Sequence, residues 1–419
     1  METLSNLREV KICFRESADE IPSTTYGTFG LYRYPAKFIP QVISYTLKNY
    51  SKPGDKVLDP FAGSGTVGLV ARMYGLNYEL WDLNPMLKFI HSASTMNPVK
   101  NVNLNEIFKD IKSSKKSFLP NWSKLNYWFP KQAIPYLQRV WGFYHNIDNQ
   151  NLKLLLTFPL LKITRKLSYN DAQRQKLSSS PFARERVNNF LKYDWETKTS
   201  LLLIDEIKKA MDKIQDYKNL LLRNNQGKIQ QKIKAGIDII DISKENYMLN
   251  KNWDILITSP PYLQAQEYIR NSKLDLFWLG YSEDEIKELS QKELPYRKVE
   301  PITIYSNTYE YYRDKIKEPH LLKMFKRYFY GVLGSLDNIS NRISDRLFLF
   351  VGSASVRSMS IPIDHIFLEH FTKIGWQHEI TLVDNIASRV MFQSNLNPAN
   401  GLKDKRISTE QLVVLKRKK

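Results

Sequence analysis

Cysteine is almost absent from this chain of 419 residues, since Cys13 is the only one. A disulfide needs two cysteines, so an internal disulfide framework is excluded, as is a zinc site with cysteine ligands. The six histidines are scattered, and we expect no metal site. Apolar runs of about 18 residues, the length that crosses a bilayer, are also missing. Because the N-terminus METLSNLREVKICFRESADE lacks a signal-peptide pattern, we expect a cytoplasmic protein without a membrane partner.

Apolar residues and cations are plentiful. The 42% hydrophobic and 12% aromatic content can build a large core, as one elaborated domain or two or three units. Lys and Arg number 62 against 43 Asp and Glu, which gives a net charge of +19. An excess of this size indicates a polyanionic partner, most simply nucleic acid, although charge does not separate DNA from RNA.

Two strand-and-loop segments stand far apart. The first, GDKVLDPFAGSGTVGLVARMYGLNYELWDLNP, reads as a short strand at Val57 and Leu58, a glycine turn, an amphipathic helix and a second strand at 78–81. In the second, WDILITSPPY, an apolar strand at 255–257 ends abruptly at two prolines. RLFLFVGSASVRS and EQLVVLKRKK resemble later strands, with a helix at IDHIFLEHFTKIGW between them. Strands that alternate with helices predict a doubly wound α/β sheet.

The residues between these segments differ in character. They are helical in pattern and basic, and we assign 97–236 as a helical insertion that is a candidate DNA-recognition region. The catalytic core then comprises 1–96 and 237–419, with a smaller Tyr-rich elaboration at 281–330. Six cations of the insertion are candidates for phosphate contacts or, alternatively, for a solvated helix face: Arg165, Lys166, Arg174, Lys176, Arg184 and Arg186.

The glycine loop VLDPFAGSGT predicts a ligand site. Gly63 and Gly65 lie where a strand turns into a helix, so the backbone can approach a ligand beside free N–H groups. A bare G-x-G also fits a tight turn without a ligand, but this loop lacks the third glycine of dinucleotide sites and the Lys-Ser/Thr of phosphate loops. Asp59 suits an ammonium group and Asp82 suits a ribose diol. S-adenosylmethionine carries both groups.

The loop TSPPY has the chemistry for transferring a methyl group to an exocyclic base amine. Ser259 and the carbonyl of Pro260 offer two acceptors that would favour the tetrahedral nitrogen of the transition state. Pro261 fixes the direction of that carbonyl, because proline restricts its own φ and the residue before it. Tyr262 offers a flat face for a base rotated out of a duplex. The alternative interpretation is that the prolines merely end a strand.

These two loops resemble the motifs of amino-methylating DNA methyltransferases, and the serine form of the second is most typical of the cytosine-N4 branch. YRYPAKFIPQVISYTL resembles the segment that covers the cofactor in that family, and DLNP resembles the segment after the second strand. The resemblance implies a Rossmann-like class I sheet of seven strands with the last antiparallel, closed at 412–415. It implies these cofactor-binding residues: Lys37, Phe38, Asp59, Pro60, Phe61, Ala62, Gly63, Gly65, Thr66, Asp82 and Asn84.

Several alternatives stay open at this point. The family places an acidic residue after the third strand, and both Asp238 and Asp241 fit that place. The resemblance implies a bacterial or archaeal, nucleoid-associated enzyme that methylates cytosine N4 in double-stranded DNA after base flipping, with a possible cognate restriction endonuclease. Adenine-N6 methylation is the nearest alternative. An RNA base methyltransferase and a non-catalytic nucleic-acid-binding module are more distant ones.

Overall fold

The computed structural model describes residues 8–35, 37–99, 102–174, 176–222, 229–263, 267–294, 296–357, 359–385 and 409–418. The strands are β1 (Glu9–Ile12), β2 (Lys56–Asp59), β3 (Asn77–Asp82), β4 (Gln231–Ala235), β5 (Trp253–Thr258), β6 (Ile343–Gly352), β7 (Ala354–Val356), β8 (Met359–Ile361), β9 (Trp376–Asn385) and β10 (Thr409–Arg417).

The helices include one 3-10 turn at Gly27–Gly30. The α-helices are α1 (Pro40–Tyr50), α2 (Thr66–Met73), α3 (Met86–Thr95), α4 (Leu104–Ser113), α5 (Leu125–Trp128), α6 (Ile134–His145), α7 (Gln150–Lys166), α8 (Pro181–Phe190), α9 (Trp195–Leu222), α10 (Ile239–Ile242), α11 (Glu245–Met248), α12 (Tyr268–Trp278), α13 (Glu283–Gln291), α14 (Asn307–Lys315), α15 (Pro319–Ser340) and α16 (Ile363–Lys373). No helix in the described ranges combines the length and the apolar character needed to cross a membrane.

The central sheet has the predicted architecture. Its order is β1-β9-β10-β6-β5-β2-β3-β4, and β10 runs antiparallel to both of its neighbours while the other pairings are parallel. The strand predicted to close the sheet at 412–415 lies within β10 and is buried throughout. Parallel strands covered on both faces carry continuous apolar runs, which explains VL in β2 and ILI in β5.

Two details differ from the sequence prediction. The sheet has eight strands in the described part of the chain, because β1 pairs in parallel with β9 along Glu9↔Thr381 and extends the predicted seven. Its residues EVKI are mostly exposed, so no buried apolar run marks it in the sequence. In addition, β4 pairs with β3 and therefore belongs to the sheet, although its residues precede the boundary predicted after Gly236.

The strand order places a switch point between β2 and β5. The chain adds β3 and β4 on one side of β2, and β5 then pairs with β2 on its other side through Val57↔Ile255 and Leu58↔Leu256. Ligands of open α/β sheets bind at the carboxyl ends of the strands that flank such a point. The glycine loop follows β2 and the Pro-Pro-Tyr loop follows β5, so both loops leave the sheet at this place.

The insertion after β3 is helical and shares a core with the sheet-associated helices. Helices α4 to α9 contribute to a hydrophobic cluster that also contains Met86 and Ile90 of α3 and Leu274 and Phe277 of α12. Helix α12 directly follows the Pro-Pro-Tyr loop region. Packing of the insertion therefore supports the same helix that positions the second loop.

Candidate active site

The two loops line one pocket with an empty volume of about 950 Å³. The glycine loop contributes residues 60–64, and the Pro-Pro-Tyr loop contributes Ser259 and Pro261. The remaining lining residues are Tyr34, Lys37, Phe38, Asp82, Leu83, Asn84, Asp238, Ile239, Ile240, Tyr268, Ile269, Lys292, Glu293 and Leu294.

The glycine loop adopts backbone conformations that require glycine. Gly63 has φ +53° and Gly65 has φ +77°, both in the left-handed region. A Cβ at Gly63 would come within 3.1 Å of Cε1 of Tyr34, and one at Gly65 within 3.0 Å of Cδ1 of Leu87. Gly63 therefore lets the pocket wall come close to the ring of Tyr34, whereas Gly65 is buried and serves the turn into α2.

Asp82 connects the end of β3 with the glycine loop. Its Oδ2 accepts a hydrogen bond from the N–H of Gly63 at 2.7 Å, and its Oδ1 accepts one from the N–H of Asn84 at 2.7 Å. Burial raises the pKa of Asp82 to about 6, although these backbone donors lower it. Asn84 is buried and donates to Oγ of Ser272 in α12 at 2.8 Å. Both predicted residues lie in the pocket wall.

Asp59 lies behind the wall rather than in it. Its Oδ1 accepts hydrogen bonds from Oγ1 of Thr258 at 2.7 Å and from the N–H of Phe61 at 3.1 Å. Burial raises the pKa of this carboxyl to about 7. The bond to Thr258 joins the ends of β2 and β5, and Asp59 thus holds the two loops together. Thr66, which was also predicted to bind the cofactor, is likewise buried and does not line the pocket.

The N-terminal segment covers one side of the pocket, as the resemblance implied. Lys37 lines it and donates from Nζ to the carbonyl of Phe29, and burial lowers the pKa of this ammonium group to about 7. Phe38 lines it as well and stacks on Phe350, with ring centroids 5.1 Å apart.

The structure separates the two candidate acids that follow β4. Asp238 is buried, lines the pocket, caps α10 through the N–H of Ile240 and pairs with Arg297. Asp241 is exposed and pairs with Lys244 at 2.9 Å and with Arg297 at 2.8 Å. Asp238 is therefore the acid available to a ligand in this pocket.

The residues of the Pro-Pro-Tyr loop also differ in whether they line the pocket. Ser259 and Pro261 line the pocket, and the hydroxyl of Ser259 makes no hydrogen bond with the residues that the structure describes. Pro260 is buried and does not line the pocket. Tyr262 is half-buried, and its hydroxyl donates to Oε1 of Glu410 in β10 at 2.9 Å.

Sequence reasoning missed three conspicuous side chains of the pocket. Tyr34 and Tyr268 form a stacked pair with centroids 6.2 Å apart and an interplanar angle of 17°. Glu293 lines the pocket from the smaller elaboration. Tyr34 lies within the segment already singled out at YRYPAKF, so proximity to Lys37 could have indicated it. Glu293 has no comparable signal, because it joins the pocket only through tertiary packing.

The six cations proposed for phosphate contact do not behave alike. Arg165 forms a two-pronged pair with Asp275 of α12 at 2.8 and 2.7 Å, so its charge already has a partner within the protein. Arg186 donates to the backbone carbonyls of Ser168 and Asn170. The other four reach the surface: Lys166 over the ring of Phe190, Arg174 beside Asp171, Lys176 beside Glu267, and Arg184 over the rings of Tyr127 and Tyr169.

Comparison with known proteins adds a family to this geometry. Residues 13–90 match the family described as DNA methylase. The Type II methyltransferase M.MvaI of Kocuria varians is 22% identical over 423 residues, which cover 91% of this chain and 89% of that protein. M.BsoBI of Geobacillus stearothermophilus is 26% identical over 285 residues, 62% of this chain and 54% of that protein. The rRNA methyltransferase aviRa from Streptomyces viridochromogenes aligns over 97% of this chain and 96% of that chain, with 10% identity and a TM-score of only 0.29.

The sheet order, with β10 antiparallel, and the pocket at its switch point are those of the Rossmann-like class I methyltransferase fold. The match of residues 13–90 and the similarity to Type II methyltransferases support DNA methylation of the amino-methyltransferase type, with S-adenosylmethionine as the methyl donor. The pocket fits this cofactor, because the glycine loop gives close backbone access and Asp82 and Asp238 offer carboxylate acceptors to its hydroxyl and amino groups.

Proposed function

We propose that this protein is a site-specific methyltransferase that transfers a methyl group from S-adenosylmethionine to the N4 amine of cytosine in double-stranded DNA. The observation that carries this proposal is the position of Ser259 in the wall of the cofactor pocket, beside the prolines that end β5. Its hydroxyl is a neutral acceptor, as is typical of the cytosine-N4 branch that the loop resembles. An acidic residue is usual at this place in adenine enzymes.

The roles of the loop residues follow from what the reaction requires. The amine lone pair of cytosine is delocalised into the ring, and acceptors aimed at its N–H bonds favour the tetrahedral nitrogen of the transition state. In the proposal, Ser259 and the carbonyl of Pro260 supply these acceptors, with Pro261 fixing the second. Tyr262 stacks on the flipped base. Its hydroxyl bond to Glu410 restricts the orientation of the ring.

The insertion is the proposed DNA-binding region, and its charge supports this role. Residues 97–236 contain 26 Lys and Arg against 11 Asp and Glu, whereas the rest of the chain contains 36 against 32. We define the cationic face as Lys166, Arg174, Lys176 and Arg184. Two aromatic side chains, Tyr127 and Phe182, flank it with 51% and 57% of their surface exposed, and exposed rings beside cations are typical of nucleic-acid contacts.

One member of the cationic face, Lys176, lies beside the helix that follows the catalytic loop. Nζ of Lys176 lies 3.2 Å from Oε2 of Glu267, the residue that precedes α12. A duplex bound along this face would therefore pass close to the pocket where a flipped base must enter. The proposal extends to a restriction-modification role with a cognate endonuclease, which the Type II methyltransferases similar to this chain suggest.

Identification of the methylated nucleoside tests the proposal. The protein is incubated with genomic DNA and tritiated S-adenosylmethionine, and the DNA is digested to nucleosides and separated. We expect the label in N4-methylcytosine. Label in N6-methyladenine would replace the proposal with the adenine reaction, and label transferred only to RNA would refute a DNA substrate. A reaction without protein and one with Ser259→Ala serve as controls.

A further inference from the structure

Glu293 is an acidic side chain of the cofactor pocket that no sequence motif indicates. It follows α13 in the smaller elaboration, and it lines the pocket together with Lys292 and Leu294. Only 7% of its surface is exposed. The elaboration at 281–330 thus contributes part of the wall of the cofactor pocket.

A backbone hydrogen bond fixes the carboxylate of Glu293 in the pocket wall. Its Oε1 accepts a hydrogen bond from the N–H of Ile269 at 3.0 Å, in the first turn of α12. Burial and the carboxylates of Asp82 and Glu293 together hold the pKa of Tyr268 above its usual range. Tyr268 stacks on Tyr34, the ring of Tyr34 lies beside Gly63, and these residues line the same pocket as Asp82 and Glu293.

A carboxylate in this position is costly without a donor. Burial raises the pKa of Glu293 to about 7, and the negative charges of Glu267 and Asp82 also raise it, while the backbone donor at Ile269 lowers it. The cations nearest to it in sequence have partners of their own, since Lys292 pairs with Glu288 at 2.6 Å and Arg297 pairs with Asp238 and Asp241. A ligand that brings an N–H or O–H donor would offset the cost of ionising this group.

S-adenosylmethionine has such donors in its ribose hydroxyls, its adenine amine and its ammonium group. We propose that Glu293 is a further cofactor-binding residue, whose carboxylate accepts a hydrogen bond from a donor group of bound S-adenosylmethionine. The inference rests on the use of this cofactor and is independent of the base that is methylated. Glu293 also accepts a hydrogen bond from the first turn of α12. In this proposal one side chain therefore contacts both the cofactor and the helix after the catalytic loop.

Calorimetric titration of the full chain tests this role without relying on turnover. Glu293→Gln removes the charge and keeps a carbonyl acceptor for the N–H of Ile269. At pH 8 we expect the variant to bind S-adenosylmethionine about 10- to 100-fold more weakly than the wild type, the range for a lost bond to a charged group. Glu310→Gln, an equal charge change at an exposed site of the same elaboration, should leave the affinity unchanged.

A second ligand identifies the donor. 5′-Methylthioadenosine keeps the ribose and lacks the amino-acid part of the cofactor. An equal loss for both ligands places the donor in the adenosine part of the cofactor, and a loss only for S-adenosylmethionine places it in the methionine part.

Affinity of Glu293→Gln within twofold of the wild type overturns the inference, and the methyltransferase assignment stands. Failure of the wild type to bind the cofactor refutes that assignment itself. Glu293→Asp keeps the charge on a shorter side chain and should bind more tightly than Glu293→Gln. If neither variant folds, Glu293 acts on the structure of α12 and the proposal fails.

Discussion

The sheet core and the helical insertion differ most in what their surfaces can bind. The core places acidic side chains around its pocket, with Asp82, Asp238 and Glu293 in the wall. The insertion places a strong excess of cations in helices α4 to α9 and their connections. A cofactor that carries a sulfonium and an ammonium group is complementary to the first, and a polyanion is complementary to the second. The chain therefore combines a cofactor pocket that contains several carboxylates with an insertion that is rich in cations.

The two regions are nevertheless not independent in structure. Arg165 of the insertion pairs with Asp275 of α12, and Tyr32 of the cofactor-covering segment donates to the same carboxylate at 2.5 Å. The side chain of Asp275 is fully buried. These contacts connect the region that binds the cofactor with the region proposed to bind DNA. A substitution in one region should therefore change the binding of that region's ligand alone, whereas loss of stability should extend to both regions.

The largest effect should come from Gly63→Val, which tests whether cofactor binding belongs to the core alone. The added Cβ would meet the ring of Tyr34, and φ +53° is strained for a β-branched residue. We expect cofactor binding to fall below detection in calorimetry, while DNA retention on a filter stays at the wild-type level. Gly334→Ala, where the nearest side-chain atom is 3.5 Å away, is the control. Equal loss of DNA binding would contradict the separation.

Arg165→Met should destabilise both regions together. Removal of the guanidinium leaves the carboxylate of Asp275 buried and without its cation, a change that costs about 3–5 kcal/mol. Urea unfolding measures this loss, and the double variant Arg165→Met with Asp275→Leu should recover much of it. The exposed pair of Arg139 and Glu196 provides the control, since Arg139→Met should cost about 0–1 kcal/mol. Separate unfolding transitions for core and insertion would contradict the shared core.

Neutralising two lysines of the cationic face should weaken DNA binding and its salt dependence. For Lys166→Gln with Lys176→Gln we expect the slope of log K against log salt to lose about 0.9 for each phosphate contact. Calorimetric affinity for S-adenosylmethionine should not change. Lys323→Gln with Lys326→Gln makes the same charge change on α15 and serves as the matched control. An equal fall in the DNA affinity of that control would show that the DNA-binding surface is not confined to the insertion.

The smallest effect should be a pH-dependent gain in stability from Lys37→Met. Burial lowers the pKa of Lys37 to about 7 in the folded protein, so the folded state binds fewer protons than the unfolded state between about pH 7 and 10. The charge of Lys37 therefore destabilises the protein fully below about pH 7, and this penalty disappears as the pH rises above 10. Melting curves of the cofactor-free protein should show a gain of a few degrees at pH 6 that shrinks by pH 10. A gain independent of pH would contradict this account.

Much of the core could be predicted because its signals are local. The apolar runs at 57–58, 78–81 and 255–257 lie in β2, β3 and β5, and the strand at 412–415 lies in β10. β1 gave no such signal, since its EVKI sequence stabilises a strand only through pairing with β9. The roles of the cations in the insertion could not be decided from the sequence for a similar reason. A helical sequence gives no indication that Arg165 meets a buried carboxylate 110 residues away.

The sequence by itself determined the chemistry of the two loops. Glycine permits left-handed backbone angles and proline restricts φ. Both effects act within a few residues, so they can be recognised from the sequence alone. Only the tertiary structure decided that the loops share a pocket, that Asp238 faces it and Asp241 does not, and that Glu293 joins them. These outcomes depend on the pairing of β2 with β5 and on helix packing between residues far apart in the chain, contacts that no local pattern encodes.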